Sequence, residues 1–140
     1  MDDPFKLHRF VAAQDAVLAA VRAELAAGDK RTHWMWFVFP QLKALGRSTT
    51  ALHFGLGGRD EALAYWRHPV LGARLRECTA LALGVPPPRS AHEIFHSPDD
   101  LKFRSCMTLF GAVAPQELLF GQALRRFFDG PDPRTLELLR

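Results

Sequence analysis

Cysteine is scarce in this chain of 140 residues, and the scarcity is informative. Two thiols, Cys78 and Cys106, do not make the disulfide framework of a small secreted fold. Each sits in an apolar, helix-patterned stretch where a buried free thiol is expected. Long apolar runs are also missing. Trp34–Phe39 is the most apolar segment and falls far short of the roughly 20 residues that span a bilayer. Met1-Asp2-Asp3 is acidic where a secretory leader would be basic, so a cytoplasmic protein with no membrane partner is expected. Neither sign of charge dominates: 18 Lys and Arg stand against 15 Asp and Glu. The basic residues come singly or in pairs such as Lys30-Arg31 and Arg125-Arg126. A nucleic-acid surface needs a dense basic face, so no nucleic-acid partner is expected. Gly55-Leu56-Gly57-Gly58 lacks the Lys-Ser/Thr and the preceding strand of a phosphate loop, and no G-x-S-x-G elbow occurs. No cofactor is expected.

What remains is an ordinary globular composition, 48% apolar and 24% charged, at a length that suits a single domain over residues 1–140. The patterning is helical throughout. Asp3 offers an N-cap and Pro4 a first helical position. Apolar residues then recur at three- and four-residue steps to Leu25, and Gly28 supplies a stop, so a helix is predicted over Pro4–Ala27. Thr32 is placed to cap a short helix that Pro40 ends. Ser48 caps another through Phe54, and Asp60–Arg67 and Pro69–Leu83 read as two more. Gly84 and Pro86-Pro87-Pro88 stop the last of these. Ser90 with Glu93 forms a capping box, Ser97-Pro98 opens a helix through Phe110, and Asp132-Pro133 caps a final one. The fold class expected is all-α: a compact multihelical domain with buried central helices and no sheet.

Two clusters and one motif carry the chemistry. His92-Glu93-Ile94-Phe95-His96 fits the H-E-x-x-H pattern of zinc hydrolases. However, Pro88 and Pro98 leave hardly two turns of helix, neither flank supplies a third ligand, and Glu93 is claimed by the capping box. No metal residues are assigned, and a zinc hydrolase stays a minor alternative. His33, beside Trp34 and Trp36, mixes a polar group with aromatic rings of the kind that line pockets. Asp99, Lys102 and Ser105 share a helix face, as do Ser105 and Thr108. Such a polar stripe is either an internal hydrogen-bond network or a site.

These residues lie in blocks that resemble an uncharacterised bacterial family, the domain of unknown function 1810, sometimes labelled calpastatin. The blocks are Asp3-Pro4-Phe5 with Leu7–Val11, His33–Gln41, Gly46-Arg47-Ser48, His68–Gly72 with Arg74-Leu75, and Asp99–Lys102 with Ser105 and Met107–Phe110. The resemblance implies an all-α multihelical fold and no established activity. Leu101–Ser105 is also similar to a Lys-Phe-x-Gln block of an all-α family acting on ADP-ribose-linked bases, though Ser105-Cys106 stand where Gln-Asn should follow. Fold-level likeness cannot establish function.

The functional expectation is a pocket for a small phosphorylated or nucleotide-like ligand, with or without catalysis. Trp34 and Trp36 would stack on it, while Arg74 or Lys102 would meet the phosphate. Gln41, Ser48, Ser105 and Thr108 would supply polar contacts, and His33 or Asp100 would act as acid or base. The alternative is a non-enzymatic helical protein-interaction module, in one form a homodimer.

Overall fold

The computed structural model describes residues 2–140, and among them the regular structure is helical. Ten α-helices follow in order: α1 (His8–Asp15), α2 (Leu18–Ala27), α3 (Met35–Val38), α4 (Thr49–Phe54), α5 (Arg59–Arg67), α6 (Leu71–Gly84), α7 (Ala91–Phe95), α8 (Asp99–Val113), α9 (Leu119–Phe127) and α10 (Pro133–Leu138). A 3-10 turn at Lys43–Leu45 precedes α4, and the sole strand-like pairing described is an isolated parallel bridge between Leu42 and Leu56. The all-α expectation holds.

Helix α8 is the axle of the molecule. Every residue from Ser105 to Phe110 is buried, and α5, α7, α9 and α10 all pack against it. Helix α6 lies against α2, α5 and α9 on a neighbouring side. Aromatic rings knit these layers. Phe95 stacks on Phe103 at 4.4 Å, Phe39 meets Phe103 edge-on at 5.0 Å, and Tyr65 meets Phe10 edge-on at 5.1 Å. Burial of such rings, rather than helix propensity, supplies most of the driving force for elements this short.

The capping signals read from the sequence are present. Ser48 accepts from the Ala51 amide, Ser90 and Glu93 close a reciprocal capping box, and Asp132 accepts from the Thr135 amide. Gly28 adopts φ 69°, the left-handed geometry that ends a helix.

The first helix differs from expectation. It is two helices, broken at Ala16–Val17 with no glycine or proline to announce the break. The cause is tertiary. Helix α1 turns Phe10 and Gln14 toward α3 and Tyr65, whereas α2 turns Val21 and Leu25 toward α6, and one straight axis cannot serve both. The chain before α1 is a turn rather than a first helical residue at Pro4. Helix α3 is a single turn, since the Thr32 hydroxyl donates to Glu24 instead of capping it.

Candidate functional site

The loop joining α2 to α3 is organised by one carboxylate. Glu24 accepts from the Arg31 amide at 2.7 Å, the Thr32 amide at 2.9 Å, the Thr32 hydroxyl at 2.7 Å and Trp34 Nε1 at 3.0 Å. Beside it the buried Lys30 ammonium meets Asp99 at 2.9 Å and the Thr32 carbonyl at 2.6 Å, 5.0 Å from the Trp34 ring centroid. Trp34 is therefore wholly buried and presents no face for a ligand to stack on. His33 is exposed and has no hydrogen-bond partner among the described residues.

The structure brings Trp36, Gln41 and Lys102 together. They rim a depression of only about 10 Å³, with Lys102 Nζ 5.2 Å from the Trp36 ring centroid. That volume suits about one water molecule and not a nucleotide. The other expected contacts lie apart. Arg74 pairs with Asp15 at 2.7 Å, and Ser48 caps α4. Ser105 and Thr108 donate to the Leu101 and Arg104 carbonyls at 3.1 and 2.8 Å. Thr108 also accepts from the Asp132 amide, tying α10 to α8. Asp100 pairs with His92 at 3.4 Å and makes no ion pair with His33 among the described residues.

In the zinc-like motif the two histidines part company. His92 turns to Asp100, while His96, the residue after the five-residue α7, sits at φ 66° with Nε2 2.9 Å from Asp29. Among the described residues no three His, Cys, Asp or Glu side chains gather as a metal would require. Both cysteines are buried and free. Burial pushes the Cys78 thiol up to about 12 and that of Cys106 well above its ordinary value, so neither is a poised nucleophile.

A larger feature lies where sequence spacing gave no signal. The chain before α1, the 3-10 turn, the end of α4 and the Gly55–Gly58 loop wall a cleft of about 470 Å³. Asp3 sets its first wall. Hydrogen bonds from the His8 amide, the His8 ring and the Leu7 amide hold the Asp3 carboxyl down to about 2. That cap fixes the turn in which Lys6 takes φ 54°, a left-handed geometry uncommon for a residue with a side chain.

Arg9 spans the floor. Its guanidinium donates to the carbonyls of Phe5, Lys6, His53 and Gly55 and pairs with Glu61 at 2.8 Å. The other Glu61 oxygen accepts from the Gly57 amide at 2.9 Å. Arg9 and Glu61 therefore hold three segments together and neutralise each other. Gly55 is required here, since a Cβ at that position would stand 2.5 Å from Lys43 Cα, the close approach that lets Lys43 N donate to the Leu56 carbonyl at 2.7 Å. Lys6, Lys43 and His53 are left lining the cleft, and neither lysine has a carboxylate partner among the described residues. The cleft is thus a positively charged recess whose lone acid is already spoken for.

An all-helical protein with a cationic cleft at its N-terminal edge and no metal cluster among the described residues is the class this geometry defines. The sequence profile of "Protein of unknown function (DUF1810)" matches residues 4–139, and the chain belongs to that family. It is similar to the conserved hypothetical protein Rv1873 from Mycobacterium tuberculosis, whose crystal structure at 1.38 Å has a TM-score of 0.95, 50% sequence identity and coverage of 98% of both chains. None of the curated proteins matches this chain. No helix among the described residues is long and apolar enough to cross a membrane.

Proposed function

We propose that this protein binds a small phosphate-bearing ligand in the cleft lined by Lys6, Lys43 and His53. The observation that carries the reading is the convergence of two lysines without carboxylate partners and an imidazole on one recess of about 470 Å³. Recesses of roughly 300–1,000 Å³ are the usual size for small-molecule sites. Lysine ammonium groups and imidazole N–H groups are donors that an oxyanion satisfies through charge-assisted bonds. The left-handed Lys6 supports the same reading, since local backbone strain concentrates at ligand clamps. Arg9 and Glu61 act as positioning residues. Binding, with no assigned reaction, is the activity proposed.

Calorimetric titration with ribose 5-phosphate and inorganic phosphate tests this. Lys43→Ala and Lys6→Ala are each expected to weaken binding by roughly 10- to 100-fold, the worth of one charge-assisted hydrogen bond. Arg74→Ala, whose side chain pairs with Asp15 and is no part of the cleft lining, should leave it unchanged. Absence of binding, or binding indifferent to both cleft lysines, would overturn the proposal.

One observation favours a second reading, the interaction module. Leu118 is 67% exposed and Leu136 42%, and both border an apolar groove of about 380 Å³ between α8, α9 and α10. If this groove joins two copies, sedimentation velocity will show a concentration-dependent dimer that Leu118→Glu abolishes. A monomer at all concentrations removes that reading.

A further inference from the structure

The cleft does not end at Glu61. Phe5, Gly57 and Glu61 also line a second depression of about 460 Å³, so the two recesses form one trough that passes over the Gly57–Gly58 backbone. Its two halves differ in chemistry. The near half carries Lys6, Lys43 and His53. To the shared, exposed Phe5 the far half adds the exposed aliphatic Leu138, the Asp60 carboxylate and Arg140. Asp60 has neither a hydrogen-bond nor an ion-pair partner among the described residues, while its neighbour Arg59 is held by the Leu139 carbonyl at 3.2 Å. Beside the shared Gly57 the floor of the far half is low, since a Cβ at Gly58 would meet nothing within 4 Å.

We infer that the ligand of this trough is a nucleoside 5′-monophosphate, an inference that rests on the phosphate reading of the near half. The polarity of the trough selects it. A phosphate alone, or a sugar phosphate, satisfies the lysines and leaves the far half unused. A molecule with an anionic end, a flat ring with two apolar faces and donor groups at the ring edge engages both halves. Phe5 offers the ring face, Leu138 the aliphatic contact, and Asp60 accepts hydrogen bonds from base N–H groups.

Titration of the purified protein with AMP, GMP, CMP, UMP, ribose 5-phosphate and inorganic phosphate separates the two levels of the argument. At least one nucleotide is expected to bind about tenfold or more tightly than ribose 5-phosphate, the usual worth of one base stack. Asp60→Ala should erase that advantage while leaving ribose 5-phosphate binding intact, and Phe5→Ala should weaken the nucleotide by more than it weakens ribose 5-phosphate. Gly58→Val, whose Cβ meets no neighbouring atom, should fold normally and block the nucleotide. Equal binding of nucleotide and ribose 5-phosphate, insensitive to Phe5 and Asp60, would overturn this inference and leave the phosphate cleft standing. Failure of every phosphate compound to bind would overturn both.

Discussion

Gly72→Ala is expected to lower the stability of this protein by about 3 kcal/mol, visible as a fall of about 10 °C in melting temperature. An added Cβ would stand 2.1 Å from the Trp66 carbonyl oxygen and 3.1 Å from its carbon. Both are backbone atoms of α5, so no side chain can swing aside. The corner where α5 turns into α6 must open instead. That corner is tightly made. The Gly72 amide donates to the His68 carbonyl at 2.9 Å, and the His68 ring accepts from the Val70 amide at 3.1 Å. Opening it disturbs the packing of Tyr65 and Leu71, both fully buried. Gly84→Ala is the control, since its Cβ would meet nothing within 4 Å near the end of the same helix. That change should stabilise by roughly 0.4–1 kcal/mol through the unfolded chain. Urea unfolding of both variants checks the pair, and equal effects would refute the steric account.

The same corner shows what the sequence made legible. His68-Pro69-Val70-Leu71-Gly72 stood out as a block of a family likeness, and the structure gives it a packing role: a ring that caps amides and a glycine that admits a carbonyl. Helix ends marked by local chemistry were readable, among them Ser48, the Ser90–Glu93 box, Asp132 and Gly28, because a cap is satisfied within four residues of itself. The break at Ala16–Val17 was not, because it is imposed by partners distant in sequence. Gln14 donates to the Phe37 carbonyl at 2.7 Å and to the Tyr65 hydroxyl at 3.0 Å, contacts no local window contains.

The candidate site was harder still. The mixture of aromatic and polar residues around Trp34 and Lys102 reads as a pocket in one dimension. In three, most of those groups turn toward each other: Lys30 and Lys102 share Asp99, and Trp34 has Glu24. Lys6, Lys43 and His53 arrive from three separate segments. None has a spacing that links it to the others, and their meeting depends on the Arg9–Glu61 clamp. The available signal was indirect: Asp3-Pro4-Phe5 and Leu7–Val11, the block that holds Arg9, lay within the family likeness.

Glu24 offers the second large effect, and it carries a pH signature. Burial pushes its carboxyl up, but hydrogen bonds from the Thr32 hydroxyl, the Arg31 and Thr32 amides and Trp34 Nε1 outweigh that and hold it down to about 2, against an ordinary value of 4.5. A carboxyl depressed on folding stabilises the native state fully above its unfolded value, and that contribution disappears as pH falls from 4.5 through about 2. The linkage is worth about 2–3 kcal/mol at neutral pH. Glu24→Ala should lose about 3 kcal/mol, because the buried Trp34 N–H and two loop amides lose their acceptor together. Glu24→Gln keeps a carbonyl acceptor but no charge, so it should lose less at neutral pH and flatten the acid limb between about pH 4.5 and 2. Stability measured by urea unfolding from pH 7 to pH 2 distinguishes the three proteins. If Glu24→Gln and the parent run parallel through that window, the carboxylate is not what ties the α2–α3 loop to Trp34. If they converge at low pH, the loop that buries Trp34 is held by a charge.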